Sequence, residues 1–268
     1  MHPFVALMRR YCIDYTNSHD QSLYDELMEP DYVVHINGMD LERSGSYARS
    51  VETLFGIAPG LGLVVHDFVL NGDRLSMYFS EHGAMPGPDG PALSCWRGIG
   101  LYKWNGTRLT ENYVEQDYFS MQAQTTSGRP HPLTPPHIDP WTTTVAVSAD
   151  PTAESVVRGW INRGDLTDAR SFEIDDMRTG AAYEPVLEVE SVTVNDLFSA
   201  GGTVPFHVTL HGTYEGGLGE ELSSRIGAPA SLNVVGIAEV ANGAVDHLDA
   251  ITGRFQMISE LSGNTSIA

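Results

Sequence analysis

At Asn71-Gly72, Asn105-Gly106 and Asn242-Gly243, an Asn-Gly dipeptide stands between two runs rich in alternating apolar residues. This is the strongest short-range signal for a tight β-hairpin, because both turn residues must take a positive φ. It predicts strands over 63–70 and 74–82, then 92–104 and 108–119. The preceding segment has helical spacing instead: Phe4, Leu7, Met8, Tyr11, Cys12 and Tyr15 fall on one face. A second helix is expected over 21–28, stopped by Pro30, then a strand over 32–37 ending at Gly38, and a third helix over 46–55. Helices first and an antiparallel meander after them is an α+β order.

The plan then restarts. Residues 124–150 carry Pro130, Pro132, Pro135, Pro136 and Pro140 and read as a stiff linker. His131 and His137 within it have no supporting ligands. Asp150-Pro151 has the form of a helix start, and Val156, Val157, Trp160 and Ile161 make an apolar face. His211-Gly212 echoes His82-Gly83, and Gly236-Ile237-Ala238 echoes Gly98-Ile99-Gly100. Matches in the same order point to a diverged duplication: a first domain over 1–125, a linker over 126–149 and a second, reduced domain over 150–268. Part of the second copy's helical cover is missing, so the two copies are expected to form one intramolecular pseudo-dimer. A further homodimer is left open.

Composition narrows the partners. The chain has 268 residues, 15 Lys+Arg and 35 Asp+Glu, for a net charge of −20. Such a chain repels phosphate backbones and anionic membranes, so neither nucleic acid nor membrane is an expected partner. Hydrophobic residues make up 41%, enough for a substantial core. Met1-His2-Pro3 leads straight into the amphipathic helix, and Cys12 and Cys95 sit in separate apolar segments. Both features fit a cytoplasmic chain with free thiols. Dinucleotide fingerprints, metalloprotease helices, nucleophile elbows and paired Cys-x-x-Cys are absent from the sequence, so no cofactor and no metal are expected.

Gly72-Asp73-Arg74-Leu75, Glu81-His82-Gly83, Trp96-Arg97-Gly98-Ile99, Asn105-Gly106 and Glu111-x-Tyr113-x-x-x-Asp117 occur in an order that resembles the SnoaL-like polyketide cyclases. That family belongs to the superfamily of nuclear transport factor 2 and ketosteroid isomerase. The resemblance is good over residues 4–122 and looser in the second copy. It implies cone-shaped α+β barrels, each a curved antiparallel sheet wrapped by N-terminal helices, with a mouth for a hydrophobic ligand. It also implies a general base at Asp117. In the family a glycine follows soon after that residue; here Ser120 stands in its place.

Taken on their own chemistry, the candidates are few. A pocket base needs a carboxylate in apolar surroundings, and Asp117 is followed by Tyr118, Phe119 and Met121. The competing assignment pairs Asp117 with a nearby arginine or makes it a strand cap. His35, mid-strand, is the second catalytic candidate, against a hydrogen-bonded core histidine. Tyr15 is the third, as a donor to a developing enolate, with core packing as its alternative. His66, His82, Trp96, Tyr113 and Phe119 are candidate substrate contacts. Alignment on the Asn-Gly turns sets Arg254 opposite Asp117, which argues against the same chemistry in both copies. The expected activity is cofactor-independent cyclisation, isomerisation or dehydration of a small hydrophobic carbonyl compound. The alternative is a non-catalytic protein that holds such a ligand in the same cone.

Overall fold

The computed structural model describes residues 1–132, 135–136 and 139–263; His137 lies outside them. The chain divides into two compact units. Unit 1 comprises Met1–Val114 with Ser120–Ser148, and unit 2 comprises Glu115–Phe119 with Ala149–Ala268.

In unit 1, α1 (Pro3–Arg9) runs on as a π-type helix (Arg10–Asn17), and the two bury Phe4, Val5, Leu7, Met8, Tyr11, Cys12 and Tyr15. A 3-10 turn capped by Asp20 leads into the short α2 (Tyr24–Leu27) and then β1 (Met28–Ile36). Pro30 therefore does not stop a helix. It lies inside β1, where the register against the neighbouring strand shifts between Met28 and Val33, a place that needs no regular N–H donor. Asn37 (φ 51°) and Gly38 (φ 71°) form a tight turn into β2 (Met39–Glu42), a short strand not expected from the sequence. Another π-type turn precedes α3 (Ala48–Ile57).

The long strands follow: β3 (Gly62–Leu70), β4 (Arg74–Met85), β5 (Ala92–Trp104) and β6 (Leu109–Gln116). The sheet order is β2-β1-β6-β5-β4-β3. β1 with β2, β3 with β4 and β4 with β5 are antiparallel, and β1 with β6 is parallel. The last strand was expected to run to Phe119. It ends at Gln116, and α4 (Tyr118–Ser127) begins at once, so Asp117 sits at a strand-to-helix junction. The expected linker packs on unit 1. It carries α5 (Pro140–Thr143), sets the Trp141 ring against Phe68, and donates the Val147 N–H to the Leu70 carbonyl at 2.9 Å.

Unit 2 starts with α6 (Pro151–Ile161), whose first N–H groups donate to the Asp150 carboxylate. Its buried Trp160 donates to the Asp168 carbonyl at 2.7 Å. Then come β7 (Ser171–Ile174), β8 (Leu187–Leu197), β9 (Thr203–Tyr214), β10 (Pro229–Ala241), β11 (Ala244–Thr252) and α7 (Arg254–Ser262). Their order, β7-β11-β10-β9-β8, repeats that of unit 1 without an equivalent of β2, and the parallel pair recurs as β7 with β11. Both units are thus α+β, a mixed sheet with helices.

Finer devices recur as well. Gly98 faces Phe79 across β4 and β5, and Gly236 faces Phe206 across β9 and β10. In each pair the ring lies over the glycine, filling the space a side chain would need. A register shift in β3 at His66 and another in β8 at Asn195 each turn a polar side chain to a hydroxyl on the next strand. His66 Nε2 lies 2.9 Å from Ser80 Oγ, and Asn195 Nδ2 donates to Thr209 Oγ1 at 2.9 Å.

Candidate functional site

Strand alternation decides which side chains can share chemistry. On β4, Leu75, Met77 and Phe79 point into the core beneath the helices, and Glu81 follows on the same face. Its cross-strand partner is Trp96, which shares parity on β5 with the core residue Tyr102. From β1 the inward residues are Tyr32 and Val34, and from β6 they include Val114 and, by parity, Asn112. The helical segment supplies Tyr11, Cys12 and Tyr15, and Tyr47 completes the group.

Five phenols and one carboxylate therefore share the interior of unit 1. Tyr11 and Tyr47 hydroxyls lie 3.1 Å apart, and Tyr15 is close enough to Tyr47 for that phenol to raise the electrostatic cost of ionising it. Asn112 is within reach of both the Tyr32 and Tyr102 hydroxyls. Burial raises the pKa of all five tyrosines, and neighbouring phenols add to the rise. They remain protonated, as donors. Glu81, itself 6% exposed, contributes its negative charge to the rise at Tyr47, Tyr102 and Cys12. The interior thus offers a buried carboxylate facing a set of O–H donors, the parts needed for moving a proton next to a carbonyl.

The three catalytic candidates from the sequence stand in three different surroundings. Tyr15 is in this interior, and the substrate candidate Trp96 flanks it. His35 has the opposite parity to Tyr32 and Val34. Its ring stacks on Tyr113 at 4.1 Å, with Nδ1 2.6 Å from Asp40 and Nε2 3.2 Å from Glu111. Lys103, the single lysine of the chain, also pairs with Glu111 and lies over the Tyr113 ring. Burial opposes ionisation of Glu111, but the hydrogen bonds and charges of Lys103 and His35 win, holding it below the usual carboxylate range. His66 is buried against Ser80 and Tyr78. His82 packs its imidazole over Gly62, where an added Cβ would come within 3.0 Å of Nε2.

Asp117 belongs to unit 2. Arg254 Nη2 donates to its Oδ1 at 2.9 Å and to Asp176 Oδ1 at 3.3 Å, and Arg254 Nε approaches Asp175 Oδ2 at 3.2 Å. The guanidinium also covers the Phe119 ring, 4.5 Å from its centre. Asp175 accepts from the Thr252 N–H and hydroxyl, both at 2.7 Å. Its pKa is raised to about 7: burial is the main cause and Asp117 adds to it, against the pull of Arg254 and Thr252. The ladders also correct the sequence alignment. Ile36 pairs with Val114 and Ile174 with Ala250, which sets Gly253, not Arg254, opposite Asp117. Arg254 binds Asp117 rather than replacing it.

Beside this cluster unit 2 holds a closed ring of hydrogen bonds. Asn195 Nδ2 donates to His207 Nδ1 at 3.0 Å and to Thr209, whose hydroxyl donates to Asn233 Oδ1 at 2.9 Å. Asn233 Nδ2 and His207 Nε2 both donate to Glu115 Oε1, at 3.1 and 3.2 Å. These directions put a proton on His207 Nε2 and make Nδ1 an acceptor. A cavity of about 120 Å³ opens in the same unit, walled in part by Asp175, Asp176, Tyr183, Glu184, Leu218 and Arg254.

Glu81 was missed in the sequence, although its alternation with Met77 and Phe79 marks its face. No signal there distinguished the tyrosines that meet in the core from those that do not.

No protein-family model and no curated protein matches this chain. Its structure is similar to IdmH, described as a "putative polyketide cyclase" from Streptomyces antibioticus, at 19% identity and a TM-score of 0.41, covering 46% of this chain and 98% of that one. A "putative SnoaL-like polyketide cyclase" from Jannaschia is similar at 18% identity and a TM-score of 0.42, over 47% and 92% of the two chains. A hypothetical protein with a ketosteroid isomerase-like fold from Catenulispora acidiphila is similar at 16% identity and a TM-score of 0.39, over 48% and 97%.

Proposed function

We propose that the chain is a cofactor-independent acid/base enzyme of the cyclase, isomerase or dehydratase type, acting in the interior of unit 1 on a small hydrophobic carbonyl compound. The observation that carries this is the shared face of Glu81 and the buried tyrosines. Glu81 removes a proton from the carbon next to the carbonyl. The enolate oxygen that forms accepts hydrogen bonds from Tyr15 and Tyr47, whose hydroxyls stay protonated at any working pH. Glu81 then returns the proton to a new carbon, or delivers it to a β-hydroxyl that leaves as water with formation of the C=C bond. The base is assigned to Glu81 instead of Asp117 because Asp117 is tied to Arg254 in unit 2. Unit 2 is read as the second product of a tandem duplication, its chemistry in this interior replaced by an apolar core around Trp160 and Phe206.

Exchange of α-protons on small ketones and 1,3-dicarbonyls, followed by NMR in heavy water, tests this without knowing the natural substrate. Glu81→Gln should abolish protein-dependent exchange while circular dichroism stays native, and Asp117→Asn should retain it. The reverse pattern would return the base to Asp117. Saturable binding of such compounds without any exchange would favour the ligand-holding alternative.

A further inference from the structure

We propose that α3, with the π-type turn before it, is the lid of the unit 1 interior, and that Phe55 is the positioning residue that latches it shut. This rests on the enolate chemistry proposed for that interior: the shut lid sets the Tyr47 hydroxyl where the enolate oxygen forms.

Sequence spacing makes α3 a one-sided helix. Ala48, Val51, Leu54 and Phe55 recur at helical intervals on one face, while Arg49, Ser50, Glu52 and Thr53 are exposed on the other. Even the apolar face is only half-buried, and no residue of α3 is fully buried. Among the described residues, the hydrogen bonds of α3 all stay within residues 43–58. Nothing of that kind ties the helix itself to the sheet.

The segment is instead fixed at its two ends. Arg43 donates to the Met28 carbonyl at 3.1 Å and pairs with Asp25 at 2.9 Å. Ala58 is fully buried, and its carbonyl accepts from the Leu61 N–H at 2.9 Å. Between these anchors two rings reach inward. The Tyr47 hydroxyl lies 3.1 Å from that of Tyr11, and its ring stands edge-on to Tyr32. Phe55 stacks on the His19 imidazole, 4.0 Å between ring centres and 3° between planes, and meets Tyr15 edge-on at 6.4 Å.

His19 is the rigid half of this latch. It follows the first helical stretch at a φ of 53°, and its Nε2–H donates to the Leu61 carbonyl at 3.0 Å. Two residues earlier, Asn17 accepts from the Leu63 N–H at 2.6 Å and donates to the Leu63 carbonyl at 3.0 Å. Phe55 is the movable half, because a helix with few buried contacts opens without unfolding the sheet. The turn Arg43–Tyr47 runs straight into Ala48–Ile57, so the tilt of the helix sets where the Tyr47 hydroxyl points. Phe55 therefore acts on the reaction through Tyr47.

Hydrogen–deuterium exchange of the full chain reads the lid directly. Amides of residues 48–57 should exchange faster than those of β4 and β5, and Phe55→Ala should speed them further while β4 and β5 stay unchanged. Protection of 48–57 equal to that of β4, or no response to Phe55→Ala, would overturn the lid. α-Proton exchange of cyclohexanone reads the latch. Phe55→Ala should lower kcat about tenfold with native circular dichroism, and Phe55→Trp should keep most of the activity. In the Tyr47→Phe chain, Phe55→Ala should have little further effect. An equal loss in both backgrounds would make Phe55 a packing residue and overturn the latch. A wild type that exchanges no α-protons would refute the chemistry of the interior, and the amide data would then decide the lid alone.

Discussion

Arg254 donates to Asp117 at 2.9 Å although 137 residues separate them in sequence. The same guanidinium lies 3.2 Å from Asp175 and 3.3 Å from Asp176. Arg254→Met removes the positive charge these three acids share. Losing one member of a buried ion pair typically costs about 3–5 kcal/mol. Urea unfolding should show a loss of that order. Asp117→Asn should cost less, because an amide oxygen still accepts from Nη2.

Stability should fall as pH rises from about 4 to about 7, the reverse of ordinary carboxylate behaviour. The pKa of Asp175 is raised in the folded chain to about 7 from 3.8. Between those values the folded chain holds a proton that the unfolded chain has released. The stabilisation is full below pH 4 and is lost as pH rises to about 7, at up to ~1.4 kcal/mol per pH unit. Urea midpoints measured between pH 5 and 8 should carry this slope in the wild type, and Asp175→Asn should flatten it.

Gly98→Ala and Gly236→Ala should both destabilise. An added Cβ would stand 2.4 Å from Phe79 Cζ in the first case and 2.6 Å from Phe206 Cζ in the second. Overpacking of this kind typically costs about 1–3 kcal/mol. Relief should come in the pairs Gly98→Ala with Phe79→Leu and Gly236→Ala with Phe206→Leu, read as recovered melting temperature.

Tyr47→Phe deletes the hydroxyl that pairs with Tyr11. The expected loss is about 1 kcal/mol for the hydrogen bond, seen in thermal unfolding. A larger drop in α-proton exchange than in stability would mark the hydroxyl as a donor to the enolate.

The strands were legible because their turns are chemically explicit, although both residues take positive φ only at Asn242-Gly243; at Asn71-Gly72 and Asn105-Gly106 the glycine alone does, and the Asn side chain accepts from the N–H of Arg74 or Arg108. The helix at Tyr118 was not, because Tyr118 and Phe119 fit strand alternation equally well and only tertiary contacts end the strand at Gln116. For the site, Glu111 and Tyr113 share one face of β6 by parity, whereas Asp117 lies beyond the strand's end at Gln116. Parity cannot say which face is inside. That is decided by Asn112 reaching Tyr32 and Tyr102, and by His35 stacking on Tyr113 from the other side. The pairing of Asp117 with an arginine was legible as a possibility, but the partner comes from far along the chain, where no local pattern reaches.

Glu115–Phe119 follow directly from the last strand of unit 1 yet belong to unit 2. They supply the acceptor for His207 and Asn233 and the carboxylate for Arg254. A polypeptide beginning at Asp150 would lack them and expose a histidine, an amide and an arginine that evolved with partners. A cut in the proline-rich segment therefore separates His207, Asn233 and Arg254 from the acceptors that Glu115 and Asp117 supply.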